Sequence, residues 1–239
     1  ATTHAVDSLS LLPALLLSHG ITQMCIDMVR PVSVGERNDP WMTSMLPRFS
    51  DLAPALDDML QEFERQDPDF DINITHLPFC QLPKWGHKIS HGGAPNRTFT
   101  ADLNHEQGVV DKYDFQAEDR KLLPECEGCV FETRCTGVPH EYARLYGSSE
   151  IRAISREALL EADPDRNNFP LIVSEELRQL SNHPPPQSWH LGAVDQEHRQ
   201  RFAAMHWQHA DGQHMSIRLM PPALSTQAGW FEALCASEY

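Results

Sequence analysis

The chain has 239 residues, of which 41% are hydrophobic and 22% are charged, which is the composition of an ordinary globular protein with a hydrophobic core. Its 34 acidic residues outnumber its 19 basic residues and give a formal net charge of -15, which disfavours binding to nucleic acid or to an anionic membrane surface. The longest apolar run, residues 11–17, is interrupted by Pro13 and is far shorter than the roughly 20 residues that span a bilayer. The sequence therefore predicts neither a transmembrane helix nor a signal peptide.

The first 80 residues are predicted to alternate helices with strands. Residues 9–19 have the pattern of a helix that ends at Gly20, and residues 21–31 indicate a buried strand. A second, amphipathic helix is predicted from Ser50, and apolar residues alternate with polar ones over residues 70–74. Helix, strand, helix, strand with short connections is typical of parallel α/β units, in which helices cover a sheet.

The rest of the chain is predicted to contain shorter elements. Periodicity fades between Cys80 and Glu118, apart from a short strand over residues 97–103. Helices are predicted over residues 138–146, 155–162, 174–180 and 195–207. A hairpin turn is predicted at Asp211-Gly212 and a strand over residues 214–220, where an extended peptide could pair with it if it lay at a sheet edge.

The six cysteines are spaced unevenly, with Cys25 and Cys235 isolated, Cys80 alone in a loop and three others clustered. A disulfide framework of a secreted protein rarely contains C-x2-C, which suits a metal or a redox pair better. We therefore expect a cytoplasmic protein. Two N-x-[ST] matches, at Asn73 and Asn96, are short enough to arise by chance.

The cluster of three cysteines is the most specific signal in the sequence. Cys126, Cys129 and Cys135 form a C-x2-C-x5-C pattern, and C-x2-C lets two thiolates converge on one metal centre. A tetrahedral or cubane site needs a fourth ligand, and Cys80, at the end of a predicted strand, is the best candidate. The alternative is that these cysteines are reduced thiols without a metal, but the charged residues between them make the segment too polar for a core.

The spacing of the cysteines indicates a metal site more clearly than it indicates which metal is bound. Four thiolates can hold zinc or a [4Fe-4S] cluster, and structural zinc sites usually use two C-x2-C pairs. This chain has one pair and two single cysteines, which favours iron and sulfur. Zinc remains the alternative.

The pattern C-x2-C-x5-C-x-G, followed by Tyr142, Tyr146-Gly147 and Glu150, resembles the auxiliary-cluster region of radical SAM enzymes with SPASM or Twitch extensions. Residues 78–83, Pro-Phe-Cys-Gln-Leu-Pro, resemble the entry into that region, and residues 20–31 are similar to a late strand of the family's partial barrel. The resemblance covers roughly residues 9–152. It implies one auxiliary [4Fe-4S] cluster on Cys80, Cys126, Cys129 and Cys135 and a peptide- or protein-modifying oxidoreductase or maturase.

Three features depart from the family, one of which is that nothing in the family's pattern accounts for residues 155–239. The C-x3-C-x2-C motif that holds the radical-generating cluster is absent, so we expect S-adenosylmethionine to be cleaved only with a missing N-terminal segment or a second chain. Val138, Pro139 and His140 stand where the full SPASM pattern has another cysteine, so one auxiliary cluster is expected rather than two. The chain begins with Ala1 rather than Met, which is consistent with a fragment or one half of a split enzyme.

The predicted architecture is α/β. Residues 1–78 are predicted to form partial-barrel α/β units, residues 79–152 the auxiliary-cluster region, and residues 153–239 a small α+β segment of unknown role. The alternative function is a non-catalytic zinc-binding module that binds a protein partner. Two histidine pairs, His87 with His91 and His206 with His209, are interpreted as surface residues, although the second pair would share a helix face.

Overall fold

The computed structural model describes residues 1–29, 44–90, 99–101, 109–111, 120–172, 189–197, 202–220 and 232–238. Residues 1–82 and 88–154 form one compact unit, and residues 83–87 and 155–239 form a second. Each unit is described separately below.

The first unit is built on a parallel sheet covered by helices. Its N-terminal elements are a 3-10 helix, Thr3–Leu11, the helix α1, Leu12–Ser18, the strand β1, Gln23–Asp27, and the helix α2, Phe49–Gln66. The strands β2, Asp71–Thr75, and β3, Ile89–Ser90, complete a three-stranded sheet with the order β1-β2-β3. Both strand pairings are parallel, so the predicted combination of helices with a small parallel sheet is confirmed.

The core of this unit follows the predicted hydrophobic patterns. One stripe of α2 is almost entirely removed from solvent, and consists of Leu52, Leu56, Met59, Leu60 and Phe63. Along β2 the side chains of Ile72 and Ile74 are buried while those between them face solvent, as expected when one face of a strand is covered. The ring of Phe63 stacks on that of Phe70 with centroids 4.1 Å apart, which fixes α2 against the start of β2.

The remaining elements between β2 and residue 154 are short. They are the 3-10 helices Phe79–Gln81 and Pro124–Cys126, the paired strands β4, Phe99–Ala101, and β5, Val109–Asp111, the paired strands β6, Arg120–Lys121, and β7, Val138–Pro139, and the helix α3, His140–Tyr146. A further 3-10 helix, Pro83–Lys88, lies mostly in the second unit. The helix predicted over residues 138–146 thus begins two residues late, because Val138 and Pro139 pair with β6 instead. It ends before Gly147, as predicted, where φ is +71°.

The second unit contains the helix α4, Arg156–Ala162, and an antiparallel sheet. The hydroxyl of Ser155 caps α4 by accepting the backbone N–H of Ala158, which confirms the helix predicted there. The sheet has the order β11-β10-β9-β8, and its strands are β8, Trp189–Glu197, β9, Phe202–His209, β10, His214–Met220, and β11, Glu232–Glu238. The helix predicted over residues 174–180 lies outside the described residues.

One prediction for this unit is wrong. Residues 195–197 belong to β8 and residues 202–207 belong to β9 rather than to the predicted helix, because pairing with neighbouring strands overrides their helical propensity. The strand over residues 214–220 is confirmed together with the hairpin turn before it, but it lies inside the sheet between β9 and β11. It therefore offers no free edge for an added peptide.

Within the described part of the chain, no helix combines the length and the apolar character needed to cross a membrane.

Candidate metal centre

Four cysteine side chains line one cavity in the first unit. Cys80, Cys126, Cys129 and Cys135 contribute to its wall, and the cavity has a volume of about 20 Å³. The apolar side of the wall includes Phe79 and Phe131, whose rings stack with centroids 4.6 Å apart. All five cysteines whose side chains are described are free thiols.

The loop that carries three of the cysteines is a series of tight turns. The N–H of Cys129 donates to the carbonyl of Cys126 over 3.0 Å, and Gly128 between them has a φ of +75°, which an L side chain rarely adopts. The N–H of Cys135 donates to the carbonyl of Phe131 over 2.8 Å. Phe131 is fully buried and anchors the loop in the core, while the cysteines of the loop line the cavity.

Cys80 reaches the same cavity from a different segment of the chain. It lies in the 3-10 helix after β2, and the stacking of Phe79 on Phe131 joins this helix to the cysteine loop. The side-chain amide of Gln81 donates to the carbonyl of Glu150 over 2.7 Å and approaches Cys80 Sγ to 3.3 Å. Residues far apart in sequence are thereby brought to one site.

Backbone N–H groups point at the sulfur atoms. The N–H of Gly137 lies 3.3 Å from Cys135 Sγ, and that of Ile154 lies 3.4 Å from Cys129 Sγ. Burial raises the pKa of Cys135 to about 11 despite the hydrogen bonds from Gly137 and Phe79. Burial also raises the pKa of Cys80, against the hydrogen bonds from Arg152 and Gln81. Burial therefore disfavours a thiolate that has no positive charge beside it. A bound metal cation would supply that charge, because a thiol that coordinates a metal is deprotonated.

The described residues contain no group of three or more histidine, cysteine, aspartate or glutamate side chains arranged to hold a metal ion. The four thiols therefore share a cavity without converging on one coordination point. Cysteine has a single side-chain torsion, so ligation at this site requires some of the thiols to change rotamer.

Comparisons with protein-family models, curated proteins and solved structures gave no match to this chain.

A buried arginine, which the sequence did not single out, ties the two halves of the site together. The guanidinium Nη2 of Arg120 donates to the carbonyl of His76 over 2.7 Å and to the carbonyl of Gly137 over 2.5 Å. The first carbonyl lies just after β2, on the way to Cys80, and the second lies two residues after Cys135. Arg120 stands in a stretch without clear periodicity, so no sequence signal marked it.

Glu150, part of the motif that resembles the radical SAM family, fixes the start of α2. Its carboxylate accepts hydrogen bonds from the backbone N–H of Phe49 over 3.1 Å, from Ser50 Oγ over 2.9 Å, from Arg48 Nη1 over 3.2 Å and from the hydroxyl of Tyr142. The rings of Phe49 and Tyr142 stack with centroids 3.9 Å apart. The motif residues thus join α2 to the segment that follows the cysteine loop.

Glu150→Gln should destabilise the chain by about 1–3 kcal/mol at neutral pH, because a charged acceptor of several hydrogen bonds is lost. Burial tends to raise the pKa of Glu150, but the hydrogen bonds from Tyr142, Ser50 and Arg48 outweigh it and hold the pKa below its usual value. A carboxyl group with a lowered pKa contributes stability above its unfolded pKa and loses it as the pH falls through the folded pKa.

Urea unfolding of wild type and variant at a series of pH values checks this expectation. The difference in unfolding free energy should be largest near neutral pH and shrink below about pH 5. Glu64→Gln, at an exposed position of α2, the helix whose start Glu150 contacts, is the matched control and should change stability little. A difference that grows as the pH falls would contradict the assigned role of Glu150.

The other candidate residues lie elsewhere. The backbone N–H of His87 donates to Asn168 Oδ1 over 2.7 Å in the second unit, and His91 lies outside the described residues. Cys25 is exposed on β1, and Cys235 lies in β11 opposite Ile217. His206 and His209 were predicted to share a helix face. They lie three positions apart on the strand β9, and therefore on opposite faces of the sheet.

Proposed function

We propose that Cys80, Cys126, Cys129 and Cys135 hold one [4Fe-4S] cluster and that the chain is the auxiliary-cluster portion of a radical SAM enzyme. The observation that carries this proposal is the cavity lined by all four thiols. Zinc draws four sulfur atoms to about 2.3 Å from a single ion, whereas a cubane binds each thiolate through a different iron and fills the space between them. One C-x2-C pair with two single cysteines, together with the resemblance to the auxiliary-cluster region, favours the second arrangement.

The surroundings of the sulfur atoms support the same assignment. Hydrogen bonds to the sulfur atoms and burial of the cluster are the means by which a protein adjusts the reduction potential of iron and sulfur. The N–H groups of Gly137 and Ile154 and the side-chain amide of Gln81 are placed to do this at three of the four thiols. A bound cluster would supply one-electron redox chemistry next to the substrate.

The resemblance carries the rest of the proposal. It assigns a peptide or protein as substrate and places the cysteine region beside a partial barrel, to which β1 and β2 would belong. The chain holds no C-x3-C-x2-C triplet, so another polypeptide segment would bind and cleave S-adenosylmethionine. The residues of this chain would then bind and orient the cluster and exclude water from it.

The cluster-loaded chain alone should not cleave S-adenosylmethionine. With S-adenosylmethionine and a strong reductant, the yield of 5'-deoxyadenosine should equal that of a Cys126→Ala control. An absorption spectrum of the same sample verifies its loading, because iron-sulfur thiolates absorb broadly in the visible and zinc, being d10, is colourless. Turnover above the control would show that this chain houses the radical chemistry itself.

A further inference from the structure

The side chain of Arg120 is buried in the first unit, close to the cysteine cavity but not part of its wall. Arg120 is 7% exposed, and among the residues that the structure describes it is the only arginine or lysine that is buried. It lies in β6, which pairs with β7 directly after the cysteine loop. Burial of a positive charge is costly unless nearby groups compensate it, so the surroundings of Arg120 decide what its burial costs.

One residue connects this charge to the sulfur of Cys135. The carbonyl of Gly137 accepts a hydrogen bond from Arg120 Nη2 over 2.5 Å, and the N–H of Gly137 lies 3.3 Å from Cys135 Sγ. The carbonyls of Gly137 and His76 are neutral, so these two contacts orient the guanidinium without cancelling its charge. Burial is the largest influence on the pKa of Cys135 and raises it, whereas the charge of Arg120 lowers it. Arg120 is therefore close enough to a cavity thiol to act on its charge.

A metal bound by the four cysteines would place a negative charge near Arg120. Four thiolates bring more negative charge than Zn²⁺ or an oxidised [4Fe-4S] core neutralises, so either centre is an anion. A buried anion is stabilised by a cation that is held near it in surroundings of low dielectric constant. Reduction of an iron-sulfur cluster by one electron adds negative charge, so the same cation favours the reduced form.

We propose that Arg120 is the counter-charge of the metal–thiolate centre and raises the reduction potential of its cluster. This rests on the proposed function, because it requires a metal at the four cysteines. Arg120 does not line the cavity, so it is a positioning residue that acts through its charge and through Gly137 rather than as a ligand. Its two hydrogen bonds hold the guanidinium in place on the side of Cys135.

The reduction potential of the chain reconstituted with iron and sulfide tests this proposal. Arg120→Gln should lower the potential, so that the ratio of reduced to oxidised cluster at a fixed applied potential falls about tenfold, which is 59 mV for one electron. Arg120→Lys keeps the charge and should stay close to the wild type, although it loses the planar guanidinium. Lys121→Gln, which removes a positive charge from an exposed position of the same strand, is the matched control.

Zinc affinity of the metal-free, reduced proteins is a second measurement, and it decides the matter if Arg120→Gln does not retain a cluster. In competition with a chelator, Arg120→Gln should bind Zn²⁺ about tenfold more weakly than Arg120→Lys, because both variants lose the guanidinium and only the first loses the charge. Far-UV circular dichroism of the metal-free proteins verifies that the variants fold.

The possible results separate this inference from the proposed function. Zinc without iron in the wild type would contradict the cluster, and the zinc affinities would then decide the role of Arg120. A wild-type chain that binds neither metal at the four cysteines would overturn both proposals. An unchanged potential and zinc affinity in Arg120→Gln would overturn the role of Arg120 alone, and so would equal losses in Arg120→Lys or in Lys121→Gln.

Discussion

Cys129→Ser is expected to abolish the metal centre. The wild-type chain should bind about four irons after anaerobic reconstitution, and this variant should bind less than about one, because a hard hydroxyl oxygen replaces soft thiolate poorly at iron. The Cys129 thiol lines the cavity and lies 3.4 Å from the N–H of Ile154. Its loss would therefore remove one of the four proposed ligands, and iron analysis with a visible spectrum measures the effect.

Two further cysteine variants make this experiment specific. Cys25→Ser changes an exposed thiol on β1 and should leave the iron content unaltered. Cys80→Ser should lose the centre, whereas Cys235→Ser should retain it, since Cys80 lines the cavity. If Cys235→Ser bleached the centre and Cys80→Ser did not, the choice of fourth ligand would be wrong.

Gly137→Ala should be the most damaging change that adds a single methyl group. A Cβ at position 137 would lie 1.9 Å from the carbonyl oxygen and 2.3 Å from the carbonyl carbon of Lys121, both backbone atoms of β6. The residue also has a φ of +79°, which costs an L side chain about 1–2 kcal/mol. Overpacking adds about 1–3 kcal/mol, so a total loss of about 2–5 kcal/mol is expected.

Gly147→Ala separates the two contributions. Its φ of +71° and ψ of -152° lie in a region that essentially only glycine adopts, but a Cβ there meets no atom within 4 Å, so only the backbone cost of about 1–3 kcal/mol should appear. Urea unfolding of the metal-free, reduced proteins measures both. Gly137→Ala should also lower the iron content, because the N–H and the carbonyl of this residue contact Cys135 and Arg120. Equal stability losses in the two variants would contradict the close approach of β6 to residue 137.

Where the hydrophobic pattern is strong, the sequence predicted the fold well. The stripe on α2 and the alternation on β2 reflect burial against a single neighbouring layer, and such burial leaves a local periodic signal. The prediction of a helix over residues 195–207 was wrong because the polar residues of this segment are good helix formers and suggested a helix. Alternation from Met205 to Gln208 was the competing signal, and the pairing of β9 with β8 and β10 decided the outcome.

The site was predictable only in part, for a similar reason. C-x2-C spacing is a local signal, so Cys126 and Cys129 could be placed near each other from sequence. The contacts that bring Cys80 alongside them, through Phe79 and Phe131, connect segments distant in the chain and leave no periodic trace. Arg120 was missed for the same reason. Its side chain connects the backbone carbonyls of His76 and Gly137, which are distant from it in sequence, so its neighbours in the chain give no sign of this contact.

The most direct test of the cluster assignment is metal and sulfide analysis of the full chain after anaerobic reconstitution with iron, sulfide and zinc together. The proposed cluster on the thiols of Cys80, Cys126, Cys129 and Cys135, which line one cavity, requires about four irons and four acid-labile sulfides per chain. Those irons should disappear in Cys129→Ser and remain in Cys25→Ser. Zinc bound in proportion to these four thiols, with no iron, would contradict the assignment and indicate a zinc-binding module instead.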